Sequence, residues 1–177
     1  MPDSLRLLIP AQTIACRVRE LGQSIADEYH DRPQVMLVGI LNGAFIFLAD
    51  LVRQLDSPHA IDFLRVASYG ASTETTGVVQ IRKDLDQSPT DRHVIIVEDI
   101  VDTGLTLSFL LDHLAVSRPR SIEVCTLLDK PSRRRVDLAP KYAGFSIGDE
   151  FVVGYGMDYN ERYRNLAGVH VCSPDST

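Results

Sequence analysis

The sequence predicts an α/β fold in which helices cover both faces of a mostly parallel sheet. Short apolar runs, typical of buried strands, alternate along the chain with apolar residues at helical spacing. Such alternation favours parallel strands, because a helix between two strands carries the chain back to the starting end of the sheet. Ligands of these sheets bind at the carboxyl ends of the strands, and two acidic residues, Glu98 and Asp99, directly follow one of the apolar runs.

The individual elements follow from local patterns. Short apolar or alternating segments predict strands at residues 35–40, 61–67, 78–83, 94–97, 122–128 and 151–153. Apolar residues at helical spacing predict three helices, formed around Ile14, Val18, Leu21 and Ile25, around Ala44, Phe47, Leu48, Leu51 and Leu55, and around Leu107, Leu110, Leu111 and Leu114. The small and polar segment 68–76 predicts a long mobile loop between the second and third strands.

The composition is that of an ordinary globular protein, with 45% hydrophobic and 24% charged residues. A length of 177 residues is expected to form one domain, spanning residues 1–177. The net charge of −6 disfavours nucleic acid as a partner. The longest nearly apolar stretch, 35–49, is too short for a membrane span, which needs about 20 residues. Three widely spaced cysteines and no recognisable secretion signal predict a reducing, cytoplasmic environment.

The segment 94–107 carries the strongest indication of chemistry. Adjacent carboxylates are costly to bury, so Glu98 and Asp99 are expected to face a ligand, a metal or water. The loop 102–106, Asp-Thr-Gly-Leu-Thr, opens a helix whose free backbone N–H groups and dipole suit a phosphate. The alternative is an ordinary capped helix start, because Asp and Thr are good cap residues. Carboxylates beside a phosphate-binding loop indicate a sugar-phosphate ligand.

This segment resembles the phosphoribosyl-pyrophosphate (PRPP) motif of the type I phosphoribosyltransferases. Four further segments occur in that family's order and roughly its spacing: Gly39-Ile-Leu-Asn-Gly43, Ser68-Tyr-Gly70, Leu127-Leu-Asp-Lys130 and Phe151-Val-Val-Gly-Tyr-Gly-Met-Asp-Tyr-Asn-Glu161. The last segment points to 6-oxopurines, so within this group the chain resembles a hypoxanthine-guanine phosphoribosyltransferase. The resemblance implies the type I phosphoribosyltransferase fold, with a small hood over the purine site.

The same resemblance implies an enzyme of purine salvage. Its reaction would transfer the 5-phosphoribosyl group from PRPP to hypoxanthine or guanine, giving IMP or GMP and pyrophosphate, with Mg²⁺ as the cofactor. Asp102 matches the position of the family's proposed general base and is the candidate catalytic residue. The family also implies a homo-oligomer, either a dimer or a tetramer.

Binding residues are carried over only from the matching motifs. Those implied for PRPP are Asn42, Gly43, Ser68, Tyr69, Glu98, Asp99, Asp102, Thr103, Gly104, Leu105, Thr106 and Arg164. Those implied for the purine are Lys130, Phe151, Val152 and Asp158, and those implied for Mg²⁺ are Glu98, Asp99 and Asp158. Within these sets, Lys130 would donate to the exocyclic oxygen of the base, and Phe151 would stack on its ring. Gly104 is expected to let the loop amides approach the phosphate, and the loop that begins at Ser68 is expected to close as a lid.

Some positions depart from the family pattern, since many relatives carry Lys where this chain has Asn42 and Leu105. A direct charge contact from Asn42 to pyrophosphate is therefore not expected, whereas backbone contacts are. From the residues alone, simpler interpretations stay open: a turn at Asn42, an ordinary loop at 68–76, a solvated strand end at Lys130, a core position at Phe151, a turn at Asp158 and a surface arginine at Arg164. The arginine run 133–135 indicates a solvated surface.

Two other functions are compatible with the same motifs. A PRPP-binding regulator could keep the fold without catalysis, although such proteins usually carry an added nucleic-acid-binding element, for which this chain offers neither a spare segment nor a basic face. An enzyme of the same fold could instead act on another base, such as xanthine or a pyrimidine. Pyrophosphate release with each base in turn distinguishes all three.

Overall fold

The described residues form nine strands and three helices. The structure is a computed structural model, and it describes residues 4–56, 59–68 and 79–173, apart from the side chain of Ser68. In chain order the elements are β1 (Ser4–Ile9), α1 (Ala11–Tyr29), β2 (Val35–Leu41), α2 (Phe45–Val52), β3 (Ala60–Ser68), β4 (Val79–Lys83), β5 (His93–Val101), α3 (Leu105–Ala115), β6 (Ser121–Asp129), β7 (Tyr142–Ser146), β8 (Val152–Val153) and β9 (Val169–Ser173). A 3-10 turn, Pro131–Arg133, follows β6.

Six strands form the large sheet, in the order β4-β3-β2-β5-β6-β7. All of its strand pairs are parallel except the one that joins β4 to β3. The prediction of a mostly parallel sheet is therefore confirmed. From β2 the chain moves outwards through β3 to β4, and from β5 it moves the other way through β6 to β7. The strand order thus reverses between β2 and β5, which is where sheets of this type bind ligands.

Helices cover both faces of the sheet, as predicted, because the central strands bury apolar side chains on both sides. On one face, α1 and α2 pack against side chains that include Leu37, Ile95 and Val97. On the other face, α3 packs against side chains that include Val38 and Ile96. The apolar stripe predicted for α1 is fully buried and consists of Ile14, Val18, Leu21 and Ile25.

A second, antiparallel sheet has the order β1-β9-β8 and joins segments that are far apart in the sequence. Ser4 in β1 pairs with Ser173 in β9, and Val152 in β8 pairs with Val171 in β9. This small sheet therefore carries Val152, one of the residues implied for the purine. Its position around Val152 agrees with the small hood that the resemblance implies over the purine site.

Several element boundaries differ from the predictions. Strand β5 continues to Val101, because its pairing with β6 continues that far, so the two acidic residues lie in the strand rather than after it. Helix α2 ends at Val52, and the predicted Leu55 lies beyond it. The last predicted strand begins at Val152 instead of Phe151. The strands β1, β7 and β9 were not predicted, and nearly all of the predicted loop 68–76 lies outside the described residues.

Among the described residues, no helix is long and apolar enough to cross a bilayer. The three cysteines, Cys16, Cys125 and Cys172, all lie in the described part of the chain and form no disulfide there. Burial strongly raises the pKa of the Cys125 thiol, so this side chain acts as a core residue.

Asp62 in β3 is a buried carboxylate that anchors the connection from β4 to β5. It accepts hydrogen bonds from the backbone N–H groups of Phe63 at 2.7 Å, Asp86 at 2.8 Å and Gln87 at 2.9 Å. The ammonium group of Lys83 lies 3.4 Å from its Oδ1. Burial by itself raises the pKa of Asp62, but the three N–H donors and Lys83 together hold that pKa below its ordinary value.

The Asp62→Asn variant is expected to lose about 3 kcal/mol of unfolding free energy at neutral pH, because an amide has one acceptor oxygen where the carboxylate uses two. Since the folded pKa of Asp62 is lowered, its ionised form stabilises the fold above the unfolded pKa, near 3.8. That contribution disappears as pH falls through the folded pKa. Urea unfolding between pH 7 and pH 3 measures this, with the exposed Asp112→Asn as control. If the difference in unfolding free energy between wild type and variant stays constant over this pH range, the stabilising role of ionised Asp62 is contradicted.

Candidate functional site

Two adjoining cavities lie at the carboxyl ends of β2, β5 and β6, beside the reversal in strand order. The large cavity, of about 300 Å³, is lined by Asn42, Gly43, Asp99, Ile100, Asp102, Lys130, Phe151, Val152, Met157, Asp158 and Arg164. The small cavity, of about 130 Å³, is lined by Glu98, Ile100, Val101, Asp102, Thr103, Gly104, Thr106 and Leu107. Asp102 and Ile100 line both cavities, so the two adjoin at the candidate catalytic carboxylate.

The small cavity is formed by the loop that leads from β5 into α3. Gly104 precedes the helix with a φ of 81°, and within the described residues no side chain caps the helix. The amide of Leu105 donates to the hydroxyl of Thr103 at 3.4 Å. The N–H groups of Thr106 and Leu107 have no carbonyl partner inside the helix, whose first backbone bond runs from Ser108 to Gly104. These groups and the positive end of the helix dipole suit a phosphate. The alternative of an ordinary side-chain cap is therefore not what the structure shows.

The arginine run 133–135 is only partly the solvated surface that was predicted. Only 12% of the Arg134 side chain is exposed. Its guanidinium donates to the backbone carbonyl of Asp102 and to the carboxylate that ends β6. The backbone N–H of Arg135 donates to the carbonyl of Thr103 at 2.9 Å. The segment after β6 therefore supports the loop of the small cavity, and the prediction of exposure holds for Arg133 and Arg135 but not for Arg134.

The structure gives Gly104 a reason that the sequence did not show. A Cβ atom at this position would lie 2.8 Å from Val136 Cγ2 and 3.0 Å from Arg134 Cδ, so it would meet the supporting segment. Its φ of 81° is also a left-handed conformation that a β-branched residue rarely adopts. Gly104 thus maintains the shape of the loop, and its expected role in letting the loop amides approach the phosphate stays a prediction.

The Gly104→Val variant is expected to bind PRPP about 10- to 100-fold more weakly, because the loop must leave its phosphate-binding shape to relieve the strain. Gly104→Asn is the matched comparison. It adds the same Cβ but tolerates a left-handed φ, so its loss of affinity is expected to be smaller. Calorimetric titration with PRPP measures both affinities, and thermal unfolding shows whether each variant folds. Wild-type affinity in a folded Val variant would place the phosphate elsewhere.

Glu98 lines the small cavity and Asp99 the large one, and the two carboxyl groups are close enough to hydrogen-bond to each other. Burial, together with the neighbouring charge of Asp99, raises the pKa of Glu98 well above its ordinary value. Burial also raises the pKa of Asp99, against the lowering effect of the Ile100 N–H group, which donates to Asp99 Oδ1 at 2.9 Å. Two desolvated acids side by side favour a bound cation or a hydroxyl-bearing ligand, since either relieves their repulsion.

The turn after β2 closely approaches Asp99. A Cβ atom at Gly43 would lie 1.7 Å from Asp99 Oδ2, so only glycine fits there. The carbonyl of Gly43 faces Gly156 in the same way, because a Cβ at Gly156 would lie 2.1 Å from it. Asn42 is exposed, and the peptide bond between Leu41 and Asn42 is cis. The turn is therefore packed into the site and is not an ordinary surface turn.

Lys130 and the segment 150–152 form another wall of the large cavity. Lys130 is only 6% exposed, and its ammonium group donates to the carbonyl of Glu150 at 2.8 Å, so it is not a solvated strand end. Phe151 is 46% exposed, and its ring meets that of Tyr159 edge to face at 5.6 Å. The interpretation of Phe151 as a core residue is therefore wrong. Val152 is buried in β8.

Asp158 and Arg164 form an ion pair in the large cavity, with Arg164 Nη2 2.8 Å from Asp158 Oδ1. Arg164 Nη1 donates to the carbonyl of Gly156 at 2.8 Å. Asp158 Oδ2 accepts a hydrogen bond from the N–H of Glu161 at 3.0 Å, so Asp158 is both a turn residue and a cavity residue. The side chain of Arg164 is 23% exposed and is not an ordinary surface arginine.

Known proteins share this arrangement of elements. Residues 9–160 match the family model of the phosphoribosyl transferase domain. Over 167 residues, the chain is 48% identical to the hypoxanthine phosphoribosyltransferase of Salmonella typhimurium strain LT2, covering 94% of each chain. This chain belongs to the hypoxanthine-guanine phosphoribosyltransferase family. The family's Bacillus subtilis strain 168 enzyme, named hypoxanthine-guanine phosphoribosyltransferase, is 45% identical over 172 residues, covering 97% of this chain and 95% of its own.

Solved structures of hypoxanthine-guanine phosphoribosyltransferases have the same fold. The crystal structure of the Staphylococcus aureus hypoxanthine phosphoribosyltransferase, in its tetragonal form, superposes with a TM-score of 0.91 at 43% identity, covering 96% of this chain and 91% of that one. A Bacillus anthracis hypoxanthine-guanine phosphoribosyltransferase gives a TM-score of 0.89 at 45% identity, covering 94% of this chain and 97% of that one. The prediction of the type I phosphoribosyltransferase fold is confirmed.

Most of the residues implied by membership of the phosphoribosyltransferases do line one of the two cavities. Leu105 does not, and its amide is already bonded to Thr103. Ser68 ends β3, but its side chain, Tyr69 and the predicted lid lie outside the described residues.

Four cavity-lining residues of this phosphoribosyltransferase were not predicted, namely Ile100, Val101, Leu107 and Met157. All four lie inside motifs that were recognised, but their apolar side chains gave no separate signal. Arg134 was also missed, because a run of arginines usually indicates solvent.

The three carboxylates implied for Mg²⁺ do not form one cluster. Among the described residues, no three metal-ligating side chains converge, and Asp158 is ion-paired with Arg164. The three carboxylates therefore do not form one shared ligand set among the described residues, and their role toward Mg²⁺ stays a prediction. Mg²⁺ is commonly held by one or two carboxylates together with substrate phosphates. The desolvated oxygens of Glu98 and Asp99 fit a cation that arrives with an anionic substrate.

A larger hollow, of about 570 Å³, lies on the far side of this phosphoribosyltransferase. Its lining includes Tyr29, Val35 and His59, near the amino ends of β2 and β3. None of the residues implied for substrate or metal lines it. Because ligands of parallel sheets bind at the opposite ends of the strands, the acidic motif identifies the two smaller cavities as the candidate site.

Proposed function

We propose that this protein is a purine-salvage enzyme that transfers the 5-phosphoribosyl group from PRPP to hypoxanthine or guanine, giving IMP or GMP and pyrophosphate. The observation that carries the proposal is the meeting of the two cavities at Asp102. One cavity offers an anion-binding loop and the other an aromatic ring with a buried ammonium group. The relatives named for these bases, at 45–48% identity, support the choice of substrate.

In this proposal the small cavity holds the 5-phosphate through the backbone amides of the loop 102–106. Glu98 and Asp99 lie near the ribose hydroxyls. The turn at Asn42 and Gly43 offers backbone groups to the pyrophosphate, and Arg164 offers its charge. These contacts fix the ribose carbon in place and hold the leaving group in line with it. The segment from Ser68 and Tyr69 acts as the lid, which keeps water from the electrophilic carbon.

The large cavity takes the purine. Phe151 stacks on the ring, Val152 offers backbone groups to its edge, and Lys130 donates to the exocyclic oxygen. Asp102 accepts the proton of the purine N–H group as that nitrogen forms its bond to the ribose carbon and the bond to pyrophosphate breaks. The placement of Asp102 between the cavities supports this role, because a base must reach the proton it removes.

Mg²⁺ would bind this site together with PRPP, held by Glu98 and Asp99. Asp158 could also contact the cation if its ion pair with Arg164 opened. When bound, the cation supplies positive charge for the departing pyrophosphate.

We also propose the setting in which the enzyme works. The whole chain, residues 1–177, acts as one phosphoribosyltransferase domain in a homo-oligomer, a dimer or tetramer. The odd number and wide spacing of the cysteines support a cytoplasmic location. Sedimentation velocity measures the oligomeric state directly, and a monomer at micromolar concentration would contradict that part of the proposal.

The test of the proposed function is pyrophosphate release from PRPP and Mg²⁺ with each base in turn. Release is expected with hypoxanthine and with guanine, and it should stop in excess EDTA and return with added Mg²⁺. Release with xanthine or a pyrimidine alone would identify a different transferase of the same fold. Binding of PRPP without turnover on any base would identify a regulator. Full turnover in excess chelator would remove the metal from the proposal.

A further inference from the structure

The guanidinium group of Arg133 bridges two carboxylates on different segments. Its Nε donates to Asp102 Oδ1 at 3.0 Å, and it lies 3.2 Å from Asp149 Oδ1. Its Nη1 donates to the other oxygen of Asp149 at 3.3 Å. The three side chains are partly exposed, at 43% for Arg133, 39% for Asp102 and 64% for Asp149.

This bridge connects the two halves of the site. Asp102 belongs to the loop of the small cavity, whereas Asp149 lies two residues before Phe151 in the wall of the large cavity. Arg133 itself ends the 3-10 turn that directly follows Lys130. The chain therefore places Arg133 between the two cavities, where its side chain contacts both the loop of the small cavity and the segment that leads to Phe151.

Only one oxygen of the Asp102 carboxylate is used by Arg133. Within the described residues, Asp102 Oδ2 accepts no hydrogen bond, and the contact from Arg134 goes to the backbone carbonyl instead. A carboxylate at the start of a loop can rotate about its side-chain bonds. A hydrogen bond to one oxygen limits that rotation and leaves the other oxygen available.

We propose that Arg133 is a positioning residue for Asp102. Its Nε holds Oδ1 so that Oδ2 is presented to the purine N–H group, and Asp149 in turn holds the guanidinium. The inference rests on the proposed function, because it requires Asp102 to be the base. Arg133 does not touch the reacting atoms in this scheme, and its whole effect on turnover passes through Asp102.

The test is a double-mutant cycle on hypoxanthine turnover, followed under single-turnover conditions so that slow variants remain measurable. Because the ion pair is partly exposed, Arg133→Gln is expected to lower the rate about 3- to 10-fold. The KM for PRPP should change less than twofold, since the phosphate loop keeps its Arg134 support. In the Asp102→Asn background the same change should have no further effect.

Two further variants separate positioning from general structure. Arg133→Lys keeps a donor and a charge and should restore part of the rate. The exposed Arg19→Gln in α1 removes an equal charge outside both cavities, and its rate should equal that of the wild type. If Arg133→Gln lowers the rate equally in the wild type and in the Asp102→Asn background, or does not lower it at all, the positioning role of Arg133 is overturned while the proposed function stands. A wild-type rate for Asp102→Asn would overturn the base assignment and this inference with it.

Discussion

Adenine is expected to be a substrate roughly 10⁴-fold poorer than hypoxanthine, measured as kcat/KM. The reason is the ammonium group of Lys130, which carries donors and no acceptor. One donor is used by the carbonyl of Glu150, and the others are available in the large cavity. Hypoxanthine and guanine place an acceptor oxygen at this edge of the ring. Adenine places an amino group there, so two donors would face each other in a buried site.

Substituting Lys130 tests the origin of this preference. Lys130→Met is expected to lose most activity on both 6-oxopurines and, in the same variant, most of the discrimination against adenine. Because Lys130 is buried, replacing its ammonium group with an apolar side chain should leave the fold intact. Lys141→Met, which removes a lysine outside both cavities, serves as the control and should keep the wild-type preference. Comparable rates for adenine and hypoxanthine in the wild type would refute the assignment of Lys130.

The Asp102→Asn variant is expected to lower kcat about 10²- to 10⁴-fold, because it keeps the shape of the side chain but cannot accept the purine proton. PRPP binding should persist, since the small cavity binds the phosphate through backbone groups. Rapid-quench measurement of IMP formation gives the rate of the chemical step, and calorimetry gives the affinity for PRPP.

The control for Asp102→Asn is Asp112→Asn. Asp112 is an exposed residue of α3, the helix that begins at the same loop, and it lines neither cavity. Its kcat should match that of the wild type. If Asp102→Asn also matched the wild type, the proton would have to leave by another route, and the catalytic role of Asp102 would be wrong.

The parts of the site that are local in sequence could be predicted. The strand, the acidic pair, the loop and the helix follow one another between residues 93 and 115, so their pattern is visible in one stretch. The central strands could be recognised as well, because strands buried on both faces are nearly continuous apolar runs.

Contacts between distant segments could not be predicted. Arg134 looked solvated because its two partners, the backbone of Asp102 and the carboxylate ending β6, are brought to it only by the fold. The close approach of Gly43 to Asp99 joins two strand ends that are more than 50 residues apart. Strand β1 is mostly apolar but largely exposed, and its pairing with β9 defines it. Such elements are specified by their partners and not by local propensity.

The small sheet has a consequence for the order in which the protein folds. The loop of the small cavity needs only neighbouring segments, from β5 to the turn after β6. The wall that carries Val152 needs β9, and β9 needs β1, which begins at Ser4. Closing so long a chain segment carries a larger entropic cost than closing a short one, and contacts of high sequence separation form slowly. The anion-binding half is therefore expected to reach its native structure before the base-binding half. Hydrogen exchange during refolding should show the amides of β5 protected before those of β9.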